Sequence, residues 1–166
     1  MGYRTISWES AMVLAGVIPW KYQAEVEAEV YRHRCALRLD GDVQGGPPEP
    51  SVEEVRLQAH RVAVSRWRAE LIANGAAEKR AVGAILLRME QWMDRGHGRL
   101  SFRITQVLTG HGCFGWYRRW IGREQSPGCY ECGVGVTDTA QHTLGECPAY
   151  AWPRHFLQCE VGVDVS

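Results

Sequence analysis

Apolar positions recur along the chain at helical spacing, with no clear strand-like alternation. Trp8, Ala11, Met12 and Ala15 fall on one helical face behind Ser7, a good N-cap, and Gly16 and Pro19 end that segment. The first nineteen residues, from Met1 to Pro19, therefore read as one short helix. A second helix is expected over Tyr22 to Leu39. Tyr22, Val26, Val30 and Leu37 form its apolar stripe, and Glu25, Glu29, Arg32 and His33 face water. Ser51 with Glu54 three residues on makes a capping box for a third helix. Its inward face is Val55, Ala59, Val62, Ala63, Trp67 and Leu71, and Asn74-Gly75 stops it. A fourth helix is predicted from Ala77 to Asp94, burying Val82, Ile85, Leu86, Met89 and Met93. Gly96 and Gly98 break it. Leu100 to Leu108 and Phe114 to Ile121 predict two shorter helices, joined by a turn rich in glycine.

The pattern thus predicts a mainly α protein of about six helices, closed by a small C-terminal zinc-bound appendix made of a turn and a short helix. Its expected organisation is a helical segment over 1–39, a Gly/Pro loop over 40–50 and a helical core over 51–123. A zinc module and tail then fill 124–166. Trp67, Trp92 and Trp152 are expected in the core, as aromatics at helical spacing usually are.

The appendix rests on four residues. Cys129 and Cys132 are separated by two residues, a spacing that lets two thiolates on one turn reach one tetrahedral centre. Gly133 follows, where a positive φ is expected. His142 comes nine residues further on, and Cys147 follows it with four residues between. Asp138 can cap a short helix carrying His142, with Gln141 three positions on. Four ligands with no open position make a structural zinc site rather than a catalytic one. Scattered thiols and a redox Cys-x2-Cys are the competing readings. The second lacks the βαβ setting such motifs need. Cys35, Cys113 and Cys159 are left as free thiols. Gly110-His111-Gly112-Cys113 offers only two possible ligands, and reads as a tight turn in which His111 bonds backbone.

Composition changes the picture in one respect. The chain carries 19 basic and 19 acidic residues and has no net charge. That excludes a uniformly basic coat. The charges are unevenly placed, however. Arg99, Arg103, Arg118, Arg119 and Arg123 fall in a stretch with no Asp or Glu. From Cys129 onward there are five acids against Arg154 alone. The five arginines are candidate phosphate contacts, with Trp116, Tyr117 or Trp120 available for stacking on bases. The bland alternative is a solvated arginine face over packed tryptophans. No apolar run reaches 18 residues, so no membrane span is expected, and no secretion signal is read at the start.

The segment RGHGRLSFRITQVLTGHGCF (Arg95 to Phe114), followed by Tyr117, Ser126-Pro127, the four ligands and Glu146-Cys147-Pro148, resembles the post-polymerase region of non-LTR retrotransposon polyproteins. The likeness is to arthropod elements that insert into ribosomal DNA or telomeric repeats, whose polyproteins end in a C-C-H-C zinc motif. Gly2 to Ser7 and Ala15 to Pro19 resemble the segment after the polymerase thumb, and Val161 to Ser166 resembles residues beyond the zinc motif. The chain departs from that pattern at Glu78-Lys79-Arg80. The resemblance implies a fragment of a larger reverse transcriptase and endonuclease, or a domesticated remnant. It implies a nuclear protein with cytoplasmic passage and a supporting role in target-primed reverse transcription. RNA or DNA and the remainder of the polyprotein are its implied partners. No catalytic residue carries over, since the paired-Asp polymerase motif is missing. The second expectation is a protein-interaction or self-association domain.

Overall fold

The computed structural model describes residues 6–39, 49–95 and 100–162. The chain divides into two compact units, Met1–Arg99 and Leu100–Ser166. Most of the Gly/Pro loop and residues 1–5 lie outside the described residues.

In the first unit α1 spans Trp8–Ala15. Ser7 caps it, its hydroxyl accepting the Ser10 amide at 3.2 Å. Gly16, at φ 66°, closes it: its amide bonds Val13 and the Val17 amide bonds Met12. That pair of bonds satisfies carbonyls the helix end would otherwise leave open, and the left-handed residue they need is a glycine. The predicted span from Met1 therefore shortens at its N-terminal side to the residue after the cap.

Helix α2 spans Trp20–Leu39 and α3 spans Val52–Ala73. The capping box at α3 is complete. The Glu54 amide donates to the Ser51 hydroxyl, and the Ser51 amide donates to the Glu54 carboxylate at 2.7 Å. The two helices run antiparallel. Lys21 and Tyr22 meet Glu70, Arg66 meets Glu25, and His33 meets the Pro50 carbonyl. Tyr22, Val26 and Val30 are buried from one side and Ala63, Val64, Trp67 and Leu71 from the other. Two positions in the expected stripes differ. Val62 is exposed and Val64 takes its place, and Leu37 lies in solvent. The stripe on α3 is narrower than the sequence suggested, because one neighbour covers little of the N-terminal half.

The predicted fourth helix is three pieces: a 3-10 turn at Ala76–Glu78, α4 at Arg80–Leu86 and α5 at Met89–Met93. Lys79 is extended (φ −71°, ψ 122°) and Arg88 leaves helical geometry (φ −127°, ψ 34°). The breaks let Ala76, Ala81, Val82, Ile85 and Met89 all be buried, while Leu86 and Met93 are half-buried. Trp92 donates to the Val13 carbonyl at 2.8 Å, and the Arg95 guanidinium lies 3.7 Å over the Trp92 ring while bonding the Trp92 and Leu14 carbonyls. Trp67 is fully buried and Trp92 half-buried, both as core residues.

The second unit holds α6 (Phe102–Thr109), α7 (Gly115–Trp120), a two-stranded antiparallel sheet of β1 (Gly128–Cys129) and β2 (Gly133–Thr137), and α8 (Ala151–Val161). Neither the sheet nor α8 was expected. The strands are too short for alternation to register. The aromatics of α8 face outward, so its pattern does not resemble a core helix. Trp152 corrects the core expectation directly, being 77% exposed. The buried residues here are few: Phe114, Gly115, Cys129, Ala140, His142 and Cys147. No residue of α6 is buried.

Gly83 generates a test of the first unit. A Cβ built there meets the Ala77 carbonyl oxygen at 2.7 Å. Alanine in a helix is ordinarily worth about 1 kcal/mol over glycine. The clash is with backbone, so Gly83→Ala is expected to lower stability by about 1–3 kcal/mol, measured as a fall in the urea midpoint. A rise would show that the 3-10 turn yields freely.

Candidate metal centre

The two ends of the ligand set are positioned by different devices. Cys129 ends β1 and Cys132 sits in the turn before Gly133, whose φ of 79° only glycine adopts without strain. A register shift between Gly128 and Cys129 curls this hairpin around the two sulfurs. The other two ligands come from one widened helical turn. The chain enters it at Ala140, where the Thr139 hydroxyl accepts the His142 amide at 3.0 Å. From His142 to Glu146 the turn is π-helical, and the Cys147 amide reaches the His142 carbonyl at 2.7 Å, five residues back. An i to i+5 bond stacks residues five apart, and these are His142 and Cys147.

The capping residue is therefore Thr139, and the expectation of Asp138 with Gln141 is corrected. Asp138 ties the turn to α7 instead. Its carboxylate accepts the Gly115 amide and the Thr143 hydroxyl, each at 2.8 Å, and its carbonyl accepts the Trp116 amide. A carboxylate at the start of α7 also meets the positive end of that helix.

The four ligand atoms lie within 4.8 Å of one another. Cys129 Sγ is 3.9 Å from Cys147 Sγ, Cys132 Sγ is 3.7 Å from Cys147 Sγ, and Cys132 Sγ is 3.5 Å from His142 Nε2. A tetrahedral ion with sulfur at about 2.3 Å and nitrogen at about 2.0–2.1 Å requires edges of about 3.8 Å between sulfurs and about 3.6 Å from sulfur to nitrogen. The side chains are thus already spaced to hold one metal ion. Cys129, His142 and Cys147 are buried and Cys132 is half-buried. The second nitrogen of His142 faces Glu146 Oε2 at 3.6 Å, so the carboxylate favours a proton on Nδ1 and leaves Nε2 to the ion.

The thiols differ electrostatically. The Cys132 and Glu131 amides point at Cys129, with His142 and Cys147 alongside, and hold its thiol down to about 7. Burial, then the neighbouring thiols Cys147 and Cys129, push Cys132 up to about 12. Packed this closely the sulfurs cannot all ionise without a counter-charge, and a divalent cation is the natural one.

Among the described residues no second group of three or more His, Cys, Asp or Glu is spaced for a metal. Cys113 is exposed, and the His111 ring lies against Tyr117, centroids 4.5 Å apart. Burial holds its imidazole below the usual range, which suits a neutral stacked ring.

Of the arginine candidates, Arg99 lies outside the described residues. Arg103 on α6 and Arg119 on α7 are exposed, as is Arg123 beyond it. Arg118 is engaged: its Nη2 pairs with Glu124 Oε1 at 2.5 Å, and Glu124 also accepts the Tyr130 hydroxyl at 3.0 Å. Tyr130 lies between the two cysteines of the hairpin, so Arg118 holds α7 to that turn. Glu124, Tyr130 and Arg154 carried no signal in the sequence beyond being charged or aromatic near the ligands. Trp116 and Trp120 stack on each other at 6.2 Å and 13°, yet remain 48% and 57% exposed.

These thiol positions give a proton count. Cys132 is protonated at neutral pH in the free site and must lose its proton to bind a metal. Metal uptake at pH 7 is expected to release at least about one proton per ion, and affinity is expected to rise with pH. Calorimetry in buffers of different ionisation enthalpy measures the number. Uptake without proton release would exclude Cys132 as a ligand.

No protein-family model and no solved structure matches the chain. Curated relatives do. One, from Nasonia vitripennis, is the "Retrovirus-related Pol polyprotein from type-1 retrotransposable element R1 4", 30% identical over 154 residues, covering 90% of this chain. A second from the same organism, element R1 2, is 26% identical over 171 residues and covers 98%. A third, element R1 of Bradysia coprophila, is 28% identical over 167 residues and covers 94%. The chain spans 38%, 40% and 15% of their respective lengths. The resemblance read from the glycine-rich turn and the ligand spacing thus extends over most of the chain, which is homologous to a part of the Pol polyproteins of R1 retrotransposable elements.

Proposed function

We propose that the chain is a non-catalytic nucleic-acid-binding module of an R1-type retrotransposon polyprotein, built around one structural zinc ion, which helps position RNA or DNA during target-primed reverse transcription in the nucleus. Zinc is favoured by three soft thiolates and one imidazole at tetrahedral spacing. The observation that carries the binding reading is on α7. Trp116 and Trp120 form an exposed stacked pair, with Arg119 three residues from Trp116 and Arg123 following. Soluble cores bury tryptophan, so two exposed stacked rings beside exposed cations suit base stacking with phosphate contact. Arg103 is available to the same role, Arg118 less so because Glu124 already holds it. The remainder of the polyprotein is the expected protein partner.

A second reading, a protein-interaction or self-association domain, is favoured by α8. Trp152 and Phe156 stack at 6.3 Å and lie 77% and 57% exposed, in a segment whose acids would repel phosphate.

A mobility-shift titration with single-stranded RNA at two salt concentrations separates the two. Arg119→Ala with Arg123→Ala is expected to weaken binding and flatten the slope of log affinity against log salt by about one to two. Binding absent at low salt in the parent chain would sink the nucleic-acid reading, and a mass that rises with concentration in light scattering would favour the second. Chelation of the metal, or Cys129→Ser, is expected to unfold residues 100–162, seen as lost amide protection there, and so to reduce binding indirectly. Lost binding with protection intact would make the clamp itself a contact surface.

A further inference from the structure

Arg154 is the one cation from Cys129 to the last residue, against five acids. It stands in the first turn of α8, and its guanidinium reaches back to the metal centre. One Nη donates to the Gly145 carbonyl, and the other donates to the Cys147 carbonyl at 2.6 Å. The Gly145 oxygen is a helix-end group of the π turn, and the Cys147 oxygen, just past that turn, also accepts the Tyr150 amide at 3.2 Å. The rigid planar fork of a guanidinium meets two acceptors from two separate nitrogens, whereas an ammonium must reach both from a single nitrogen. Its Nε is buried without a partner among the described residues, so the two carbonyls and the charge of the site are what hold it there.

The charge matters because of what the site contains. Three thiolates, a neutral imidazole and a divalent ion sum to one net negative charge. Glu146 adds another beside His142. A buried excess of negative charge is costly unless a cation lies close. We infer that Arg154 is the positioning residue of the metal centre: it fixes the backbone that carries Cys147, offsets the charge of the thiolates, and makes α8 fold as part of the metal-bound unit. Cys147 is the most buried ligand, and its sulfur lies 3.9 Å from that of Cys129 and 3.7 Å from that of Cys132. Losing the guanidinium leaves its carbonyl with the Tyr150 amide alone and loosens the backbone that sets the sulfur on which the tetrahedron depends. The one cation of α8 is thereby committed to the metal centre, while Arg103, Arg119 and Arg123 are exposed.

This inference rests on the metal reading above, and the test keeps the two apart. The full chain is prepared as wild type, Arg154→Ala, Arg154→Lys and, as a control on the same helix, Glu160→Ala. Each is titrated with cobalt(II), whose absorption reports coordination geometry and thiolate ligation, and then with zinc in competition with a chelator. Amide hydrogen exchange is followed at 151–161. Arg154→Ala is expected to lower metal affinity about tenfold or more. It should also lose about a third of the sulfur-to-cobalt intensity, as Cys147 leaves, and lose protection in α8. Arg154→Lys keeps the charge without the fork and is expected to fall between, whether or not the alanine variant folds. Glu160→Ala is expected to match wild type. Wild-type affinity and spectrum in both Arg154 variants would overturn the inference while leaving the metal reading in place. A wild-type chain that takes up no cobalt or zinc would overturn both.

Discussion

Three cysteine sulfurs and one imidazole nitrogen packed within 4.8 Å are the constraint on which the second unit turns. Hydrophobic burial cannot hold that unit alone. Among its described residues only Phe114, Gly115 and Ala140 are buried apart from the ligands themselves. A segment with so little apolar burial cannot offset the entropy of ordering its backbone, at about 1–2 kcal/mol per residue. The free energy of closing a tetrahedral centre, on the order of 10–16 kcal/mol, supplies a term that burial lacks. Everything distinctive in the local chain serves that closure: the curled hairpin, the positive φ at Gly133, and the π turn that brings His142 and Cys147 to one side. The first unit solves the same problem by ordinary means. It packs two long antiparallel helices on a fully buried Trp67 and closes the end with short helical pieces.

The Ser7 and Ser51 caps, the Tyr22, Val26 and Val30 part of the α2 stripe and the clustering of the four ligand residues were legible in the sequence because each depends on local chemistry. Ser51 with Glu54 caps a helix wherever it occurs, and two cysteines three apart with a histidine and a further cysteine leave few alternatives. What was not legible depends on tertiary context. Nothing in the sequence between Ala77 and Asp94 says where the helix breaks, because the breaks come from fitting Val82, Ile85 and Met89 under α1 and α3. Asp138 looked like a cap because Asp is a good cap; the neighbouring Thr139 took the role, and Asp138 was drawn to the amide of Gly115, which is 23 residues away. Arg118 looked like its neighbour Arg119. Only the fold shows that Glu124 reaches one and not the other.

Trp152 is the most instructive miss. Aromatics at helical spacing usually mark a core face, and Trp152 with Phe156 has that spacing. In α8 the face toward the metal unit is filled by Arg154, so the aromatic face is the outward one. A polar inner face is unusual for a helix, and it is intelligible only where the surface it covers is itself electrostatically demanding. A cysteine cluster flanked by the Gly145 and Cys147 carbonyls is such a surface.

That inversion bears on how a metal-site unit with no net basic character fits the proposed nucleic-acid-binding reading. Fingers that grip phosphate present cations from the metal-bound loop. Here the chain from Cys129 onward is acidic, and its one arginine, on α8, bonds the Gly145 and Cys147 carbonyls. On the proposed reading the metal unit acts as a frame and α7 as the contact. Asp138 fixes the start of α7 through the Gly115 amide, and the Arg118–Glu124–Tyr130 chain fixes its end to the cysteine hairpin. A six-residue helix has too few internal bonds to stand alone. Held at both ends by residues next to the ligands, it can keep Trp116 and Trp120 stacked and in solvent, an arrangement that free tryptophans would abandon by burying their rings. Metal binding would then act on nucleic-acid affinity through the rigidity of α7 and not through any contact of its own.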